Sequence, residues 1–235
     1  MPSLRHRFIV IVCCLLAGQG ALRAKAPIEA ITFADRQDVF YLPLMEAARE
    51  LHWEVEVDET GRCLQFGPLP VSPGALRALV DGTELVQQHD LELAGATISA
   101  GENPATLVVR RGFYRFTLVN RPKHVEVSLS QQQLRGWQGG RLILQTHISS
   151  GRNGRTPAGT FSAGPFRARM HRSSLYHNAP MPWSVQINGN VFIHGFDEVP
   201  DYPASHGCIR MPLDGGNPAR FFYEWVDTGT PVVVR

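Results

Sequence analysis

The chain has 235 residues and a formal net charge of +2, from 23 Lys and Arg against 21 Asp and Glu. The charges are interspersed, so no basic block of the kind that reads nucleic acid is present. The length holds one large or two small domains.

Arg5 and Arg7 precede an almost unbroken apolar run over residues 8–17, and a small-residue region with Ala24-Lys25-Ala26 follows. This order reads as an export signal over residues 1–26. The run is too short for a permanent bilayer-spanning helix, although a retained anchor is the rival reading. Cys13 and Cys14 lack the small residue expected before a lipidated cysteine. The expected protein is exported, in the periplasm or cell envelope, with no stable membrane span after cleavage. The remaining cysteines are Cys63 and Cys208. A bridge between them would consume the one thiol in a reactive-looking setting, so Cys63 reads as a buried structural thiol.

Residues 30–33 and 38–42 read as short strands, and Pro43 opens a helical stretch over residues 44–51, where its missing N–H costs little. Residues 53–57 alternate like a half-buried strand, and Asp58-Glu59-Thr60-Gly61 turns into a strand over 63–66. Residues 74–80 read as a short helix. Residues 107–110 and 113–119 read as a hairpin turned by Arg111-Gly112. The expected domain boundary lies near Asn120-Arg121-Pro122, separating an accessory α+β module (27–120) from a second domain (121–235).

Past the boundary the pattern is β-rich. Val125, Val127 and Leu129 alternate with polar residues, and further strands are expected over 134–137 and 142–148. A glycine-rich loop covers 149–161. Residues 183–187 and 190–193 form a hairpin over Asn188-Gly189, a strong turn signal, which delivers His194 at a strand end. Asn217-Pro218 starts a helix that runs to Trp225, and residues 232–234 close the chain as a strand. The fold class expected is α+β, a small α+β N-terminal module followed by a mostly β domain.

The chemistry concentrates in Ser205-His206-Gly207-Cys208-Ile209-Arg210, with His194-Gly195 upstream. A thiol of ordinary pKa, about 8.5, is mostly protonated at neutral pH and needs a neighbour to take its proton. Cys208 is therefore the candidate nucleophile and His194 the candidate base. Gly207 permits a tight turn, and closely spaced amides can converge on one oxyanion. Arg210 offers a guanidinium whose fork matches a carboxylate.

These segments resemble the L,D-transpeptidase catalytic domain of the YkuD type. The resemblance rests on Val191-Phe192-Ile193-His194-Gly195, then Ser205-His206-Gly207-Cys208-Ile209-Arg210, with Ser150-Gly151-Arg152 and Thr156-Pro157-Ala158-Gly159-Thr160-Phe161 upstream in the family's order. The loop between His194 and Ser205 is toward the short side for that family. The resemblance implies Cys208 as nucleophile and His194 as general base, with the Gly195 carbonyl holding the imidazole tautomer. The amides of His206, Gly207 and Cys208 would form the oxyanion hole, and Arg210, Ser205 and Trp183 would face substrate. It implies acyl transfer through a thioester from a peptidoglycan tetrapeptide stem to an amine. That amine would be a second stem, a lipoprotein lysine or a D-amino acid, and neither metal nor organic cofactor is required. Around residues 41–55 the first module is similar to the copper amine oxidase N-terminal-like module, which implies a wall-facing accessory role and no copper chemistry.

Other readings stay open from the sequence. A wall cysteine endopeptidase or carboxypeptidase would share the Cys–His pair, and a non-catalytic wall-binding protein could retain it. Arg152, Arg155, Arg167, Arg169 and Arg172 either guide an anionic wall polymer or form a solvated face. Tyr176 and Trp183 line a cleft or pack in the core, and His147, His171 and His177 read as loop or strand residues.

Overall fold

The computed structural model describes residues 8–10, 26–72 and 74–235; the export-signal reading falls outside them, apart from the backbone of Phe8–Val10. No helix among the described residues is long and apolar enough to cross a membrane. The described residues divide into two compact units, one of those within 1–31, 39–78 and 83–120, the other of 32–38, 79–82 and 121–235.

The first unit is a small α+β module. Its strands begin with β1 (Phe8–Val10) and β2 (Ile28–Glu29); β3 (Ile31–Phe33) has its last two residues, and β4 (Arg36–Pro43) its first three, in the second unit. Helix α1 (Leu44–Leu51) buries Leu44, Ala47, Ala48 and Leu51, the i, i+3, i+4, i+7 stripe of an amphipathic helix. Strands β5 (Val55–Val57), β6 (Cys63–Phe66) and β7 (Leu69–Pro70) form antiparallel pairs, and β1 pairs with β5. Residues 74–80, expected as a helix, instead contain the short strand β8 (Arg77–Ala78), which pairs with β9 (Glu84–Gln87). Gly74 at φ 76° and a turn closed by the Ala75 amide on the Ser72 carbonyl leave too few residues for a helical nucleus. Helix α2 (Gln88–Leu93), which the sequence reading passed over, is held by a capping box in which the Gln87 side chain and Asp90 exchange contacts with each other's backbone amides. Strands β10 (Thr97–Ala100), β11 (Thr106–Arg111) and β12 (Tyr114–Val119) complete an antiparallel sheet, with β12 parallel to β2. Leu42, Leu51, Phe66, Leu91, Val109 and Leu118 lie at its core.

The second unit is mostly β. Strands β13 (Lys123–Ser128), β14 (Gln133–Gln138), β15 (Arg141–His147), β16 (Gly159–Ser162) and the C-terminal β21 (Pro231–Val234) form a five-stranded sheet ordered β15-β14-β13-β21-β16. Strands β17 (Arg167–Arg172), β18 (Pro180–Asn188), β19 (Val191–Gly195) and β20 (Ile209–Met211) form a second sheet in chain order. Helix α3 (Pro218–Trp225) starts as its sequence dictates: the Asn217 side chain accepts from the Arg220 amide at 2.9 Å and Pro218 occupies the first turn. It packs on β15, β18 and β19 and buries Phe221, Phe222 and Trp225. Trp225 explains the glycine inside β14, because a Cβ on Gly136 would stand 2.7 Å from the indole ring. Val125, Val127, Leu134, Ile193, Ile209 and Val232 are fully buried in the same unit.

Candidate active site

Two neighbouring strands of the second sheet position His194 and Cys208, the candidate base and nucleophile. β19 and β20 run parallel, with Ile193 opposite Ile209 and His194 opposite Arg210, so Cys208 enters β20 beside the strand that presents His194. His194 and Cys208 line one cavity with His171, Tyr176, Asn190, Phe192 and Phe196, and its other walls include His206 and Arg210.

His194 is 4% exposed, and its Nδ1 lies 2.8 Å from the Gly195 carbonyl. A carbonyl only accepts, so Nδ1 carries the proton and Nε2 of the neutral ring keeps its lone pair. Burial pushes the His194 pKa down to about 4; the Gly195 contact opposes this, while the charges of Arg210 and His171 add to it. Phe196 meets the imidazole edge-to-face at 6.2 Å between centroids.

The Cys208 thiol is partly buried and donates to the Asn190 carbonyl at 3.5 Å. Burial raises its pKa above the ordinary value, against smaller lowering effects of the Phe192 amide and the Arg210 charge. At neutral pH the site therefore holds a thiol and a neutral imidazole. Cys63 is also a free thiol, but it is 1% exposed, and burial followed by the charge of Glu84 pushes its pKa up to about 12.

The nucleophile turn is held from behind by buried polar groups. Ser205 Oγ accepts from the Gly207 amide at 3.1 Å and donates to the Cys208 carbonyl at 2.5 Å. Thr156 Oγ1 accepts from the Gly151 amide at 2.7 Å and donates to the Gly207 carbonyl at 2.8 Å. The Ser150 carbonyl takes both the Ala204 and Ser205 amides, and Gln132 is bonded to the Ser150 amide and hydroxyl. Gly151 has no room for a side chain: a Cβ would stand 2.7 Å from the Thr156 nitrogen and 2.9 Å from the Gly207 Cα. Gly207 lies at φ 143°, a backbone region that side chains rarely adopt.

Three of the expected site residues have placements that the spacing did not indicate. Ser205, expected to face substrate, is among the residues lining the cavity, although it is 2% exposed and its hydroxyl is bonded to the turn's own backbone. The Gly207 amide, expected in an oxyanion hole, points at that hydroxyl instead. Trp183 is absent from the cavity walls; its ring lies against Tyr223 at 5.6 Å and under the Arg220 guanidinium at 5.6 Å. Its backbone sits at φ 57°, so the in–out alternation of a strand does not say where the ring goes. The other expected residues stand around the cavity: Gly195 adjoins His194, and His206 and Arg210 line the wall. The Arg210 guanidinium lies 4.0 Å over the Phe196 ring. His206 accepts from Arg152 Nη2 at 2.9 Å and stacks on Tyr176 at 4.3 Å.

Asn190, Phe192, Phe196 and His171 were not singled out from the sequence as cavity residues. The alternation of β19 carried a signal for Phe192, whose parity matches that of His194. Among the described residues, no three of His, Cys, Asp and Glu converge as a metal-ligand set.

Residues 122–234 match the model of the YkuD family, the L,D-transpeptidase catalytic domain. Solved structures similar to the chain include the L,D-transpeptidase (residues 123–326) of Xylanimonas cellulosilytica DSM 15894, at 28% identity over 49% of this chain and 61% of that one, with a TM-score of 0.43. The L,D-transpeptidase of Stackebrandtia nassauensis is 24% identical over 49% of this chain and 56% of that one, with a TM-score of 0.44. An Enterococcus faecium L,D-transpeptidase is 26% identical over 54% and 55% of the two chains, with a TM-score of 0.42. The chain thus spans less than two thirds of the length of these relatives. No curated protein sequence matches it.

Proposed function

We propose that the protein is a peptidoglycan L,D-transpeptidase, an acyltransferase that works through a thioester on Cys208. The observation that carries this reading is the placement of the Cys208 thiol and a tautomer-locked His194 imidazole in one cavity, within the residues that match the family model. Cys208 Sγ attacks the carbonyl of the bond between the third and fourth residues of a tetrapeptide stem as His194 Nε2 takes the thiol proton. The S–C bond forms, and the C–N bond breaks as the imidazolium returns that proton to the departing D-alanine nitrogen. An amine then attacks the thioester, gives its proton to Nε2, and the thiol is regenerated. The Gly195 carbonyl stabilises the imidazolium in place of a carboxylate. With the Gly207 amide engaged by Ser205, the amides of His206 and Cys208 remain as candidate oxyanion donors.

The acceptor is a second stem, a lipoprotein lysine or a free D-amino acid. The segment over residues 1–26 serves as an export signal, which suits an enzyme of the cell envelope. The division between an accessory module over 27–120 and a catalytic domain over 121–235 follows the same reading, with the module facing the wall.

The test is incubation of the purified protein with disaccharide tetrapeptide and an amine acceptor, followed by mass spectrometry of the products. Loss of terminal D-alanine with a cross-linked or exchanged product is expected. D-alanine loss with only the hydrolysed tripeptide would make the enzyme a carboxypeptidase. Intact stems after prolonged incubation, or equal turnover by Cys208→Ala, would overturn the reading.

A further inference from the structure

Three arginines gather beside the cavity on the side of the nucleophile turn. Arg152 and Arg155 flank the short 3₁₀ turn Arg152–Gly154, just ahead of Thr156. That turn is anchored to the nucleophile segment, because the Arg152 amide donates to the Ser205 carbonyl at 3.0 Å and Thr156 holds Gly207. Arg210 reaches the same region from β20, half-buried over Phe196. Among the described residues, no carboxylate stands within ion-pair distance of any of the three, and Glu198 is the acidic group whose charge reaches Arg210. Cations held close together by backbone anchors, one of them partly desolvated, repel one another unless an anion sits between them.

His206 belongs to this cluster. Arg152 has only donors, so the contact at 2.9 Å fixes Nε2 of His206 as the acceptor and leaves the proton on Nδ1. Tyr176, stacked on the ring, fixes its plane. The imidazole is thereby a neutral, oriented N–H donor in the cavity wall. Its pKa is lowered by burial and then by Arg152, Arg155 and Arg210, which is consistent with all three charges lying near it.

We propose that Arg152, Arg155 and Arg210, with His206, form an anion subsite at the mouth of the Cys208 cavity that takes a free carboxylate of the stem peptide. The inference rests on the transpeptidase reading and deepens it, since it names what the site reads on its substrate. Arg210 and His206 contact the carboxylate, while Arg152 also positions the His206 ring. Two carboxylates supply this chemistry: the α-carboxylate of the departing fourth residue, and the second carboxylate of a diamino acid at the third.

Three synthetic stems separate the sources: the unmodified tetrapeptide, its C-terminal carboxamide, and the form amidated on the diamino acid. Each is assayed for turnover with the parent and the Arg152→Gln/Arg155→Gln variant, and for binding to Cys208→Ala by calorimetry. One of the two amidations should raise KM about tenfold or more with kcat held within about twofold, as loss of a charge-assisted contact does. The double variant should bind the unmodified stem about tenfold more weakly and narrow the distinction between it and that amidated form to what Arg210 retains. Arg152→Lys should recover part of the KM, because the charge returns without the fork. The subsite is overturned if both amidated stems bind like the parent stem, or if the double variant weakens all three equally. Carboxylate-dependent binding without turnover of any stem would leave the subsite standing and remove the acyl-transfer reading instead.

Discussion

Cys208 and His194 line one cavity as a neutral thiol and a neutral imidazole, and in the proposed mechanism this divides their work differently from a preformed thiolate–imidazolium pair. Burial raises the thiol pKa and lowers the imidazole pKa to about 4, so the proton moves only when the sulfur attacks. His194, the base of the proposed mechanism, is therefore neutral throughout the neutral range. The acid limb of kcat/KM should therefore fall near pH 4 and not near the ordinary histidine value of about 6.5. A pH–rate profile checks this, and a limb at about 6.5 would contradict the buried, neutral assignment. Alkylation of Cys208 by iodoacetamide should still be accelerating past pH 9, because thiolate accumulates only above the ordinary thiol range. Peptide mapping of the same samples should find Cys63 unmodified in the folded protein, given its burial.

At the scale of elements, the turn that carries Cys208 depends on hydrogen bonds from a segment some fifty residues upstream. Thr156 joins the Gly151 amide to the Gly207 carbonyl, and Thr156→Val removes both bonds while keeping the shape. Leaving those two backbone groups unpaired in a buried place should cost about 1–3 kcal/mol of stability. Chemical denaturation measures that loss, and kcat should fall with it as the turn loosens. Gly151→Ala forces a methyl group against backbone on two sides and should cost a further about 1–3 kcal/mol by overpacking.

Much of this architecture is legible in the residues. Asn217-Pro218 announces α3, and Asn188-Gly189 announces the hairpin whose second strand carries His194. What was hidden has physical causes. Helix α2 begins with a Gln–Asp box in place of the usual hydroxyl cap, so no standard start signal is present. The inward turn of the Ser205 hydroxyl follows from closure of residues 205–208 into a loop, which spacing alone does not reveal. The left-handed backbone at Trp183 breaks the alternation used to aim its ring.

For the whole molecule, the buried imidazole links the site to acid stability. The His194 pKa falls from 6.5 in the unfolded chain to about 4 in the folded one, so between these values the unfolded state binds more protons. Stability from this residue is complete above about pH 6.5 and is lost as the pH drops toward 4, by about 3 kcal/mol at 1.36 kcal/mol per unit. Urea unfolding at pH 7 and pH 4.5 should show this drop in the parent and less of it in His194→Gln. An equal acid dependence in both proteins would assign it to other groups.

The central claim is that Cys208 becomes acylated by a wall peptide. Intact-protein mass spectrometry after mixing the enzyme with disaccharide tetrapeptide, without an amine, tests this most directly. The account predicts an adduct equal to the stem minus its terminal D-alanine, mapping to the peptide that holds Cys208 and discharged when an amine is added. Release of D-alanine with no adduct at Cys208, and at the same rate in Cys208→Ala, would contradict it.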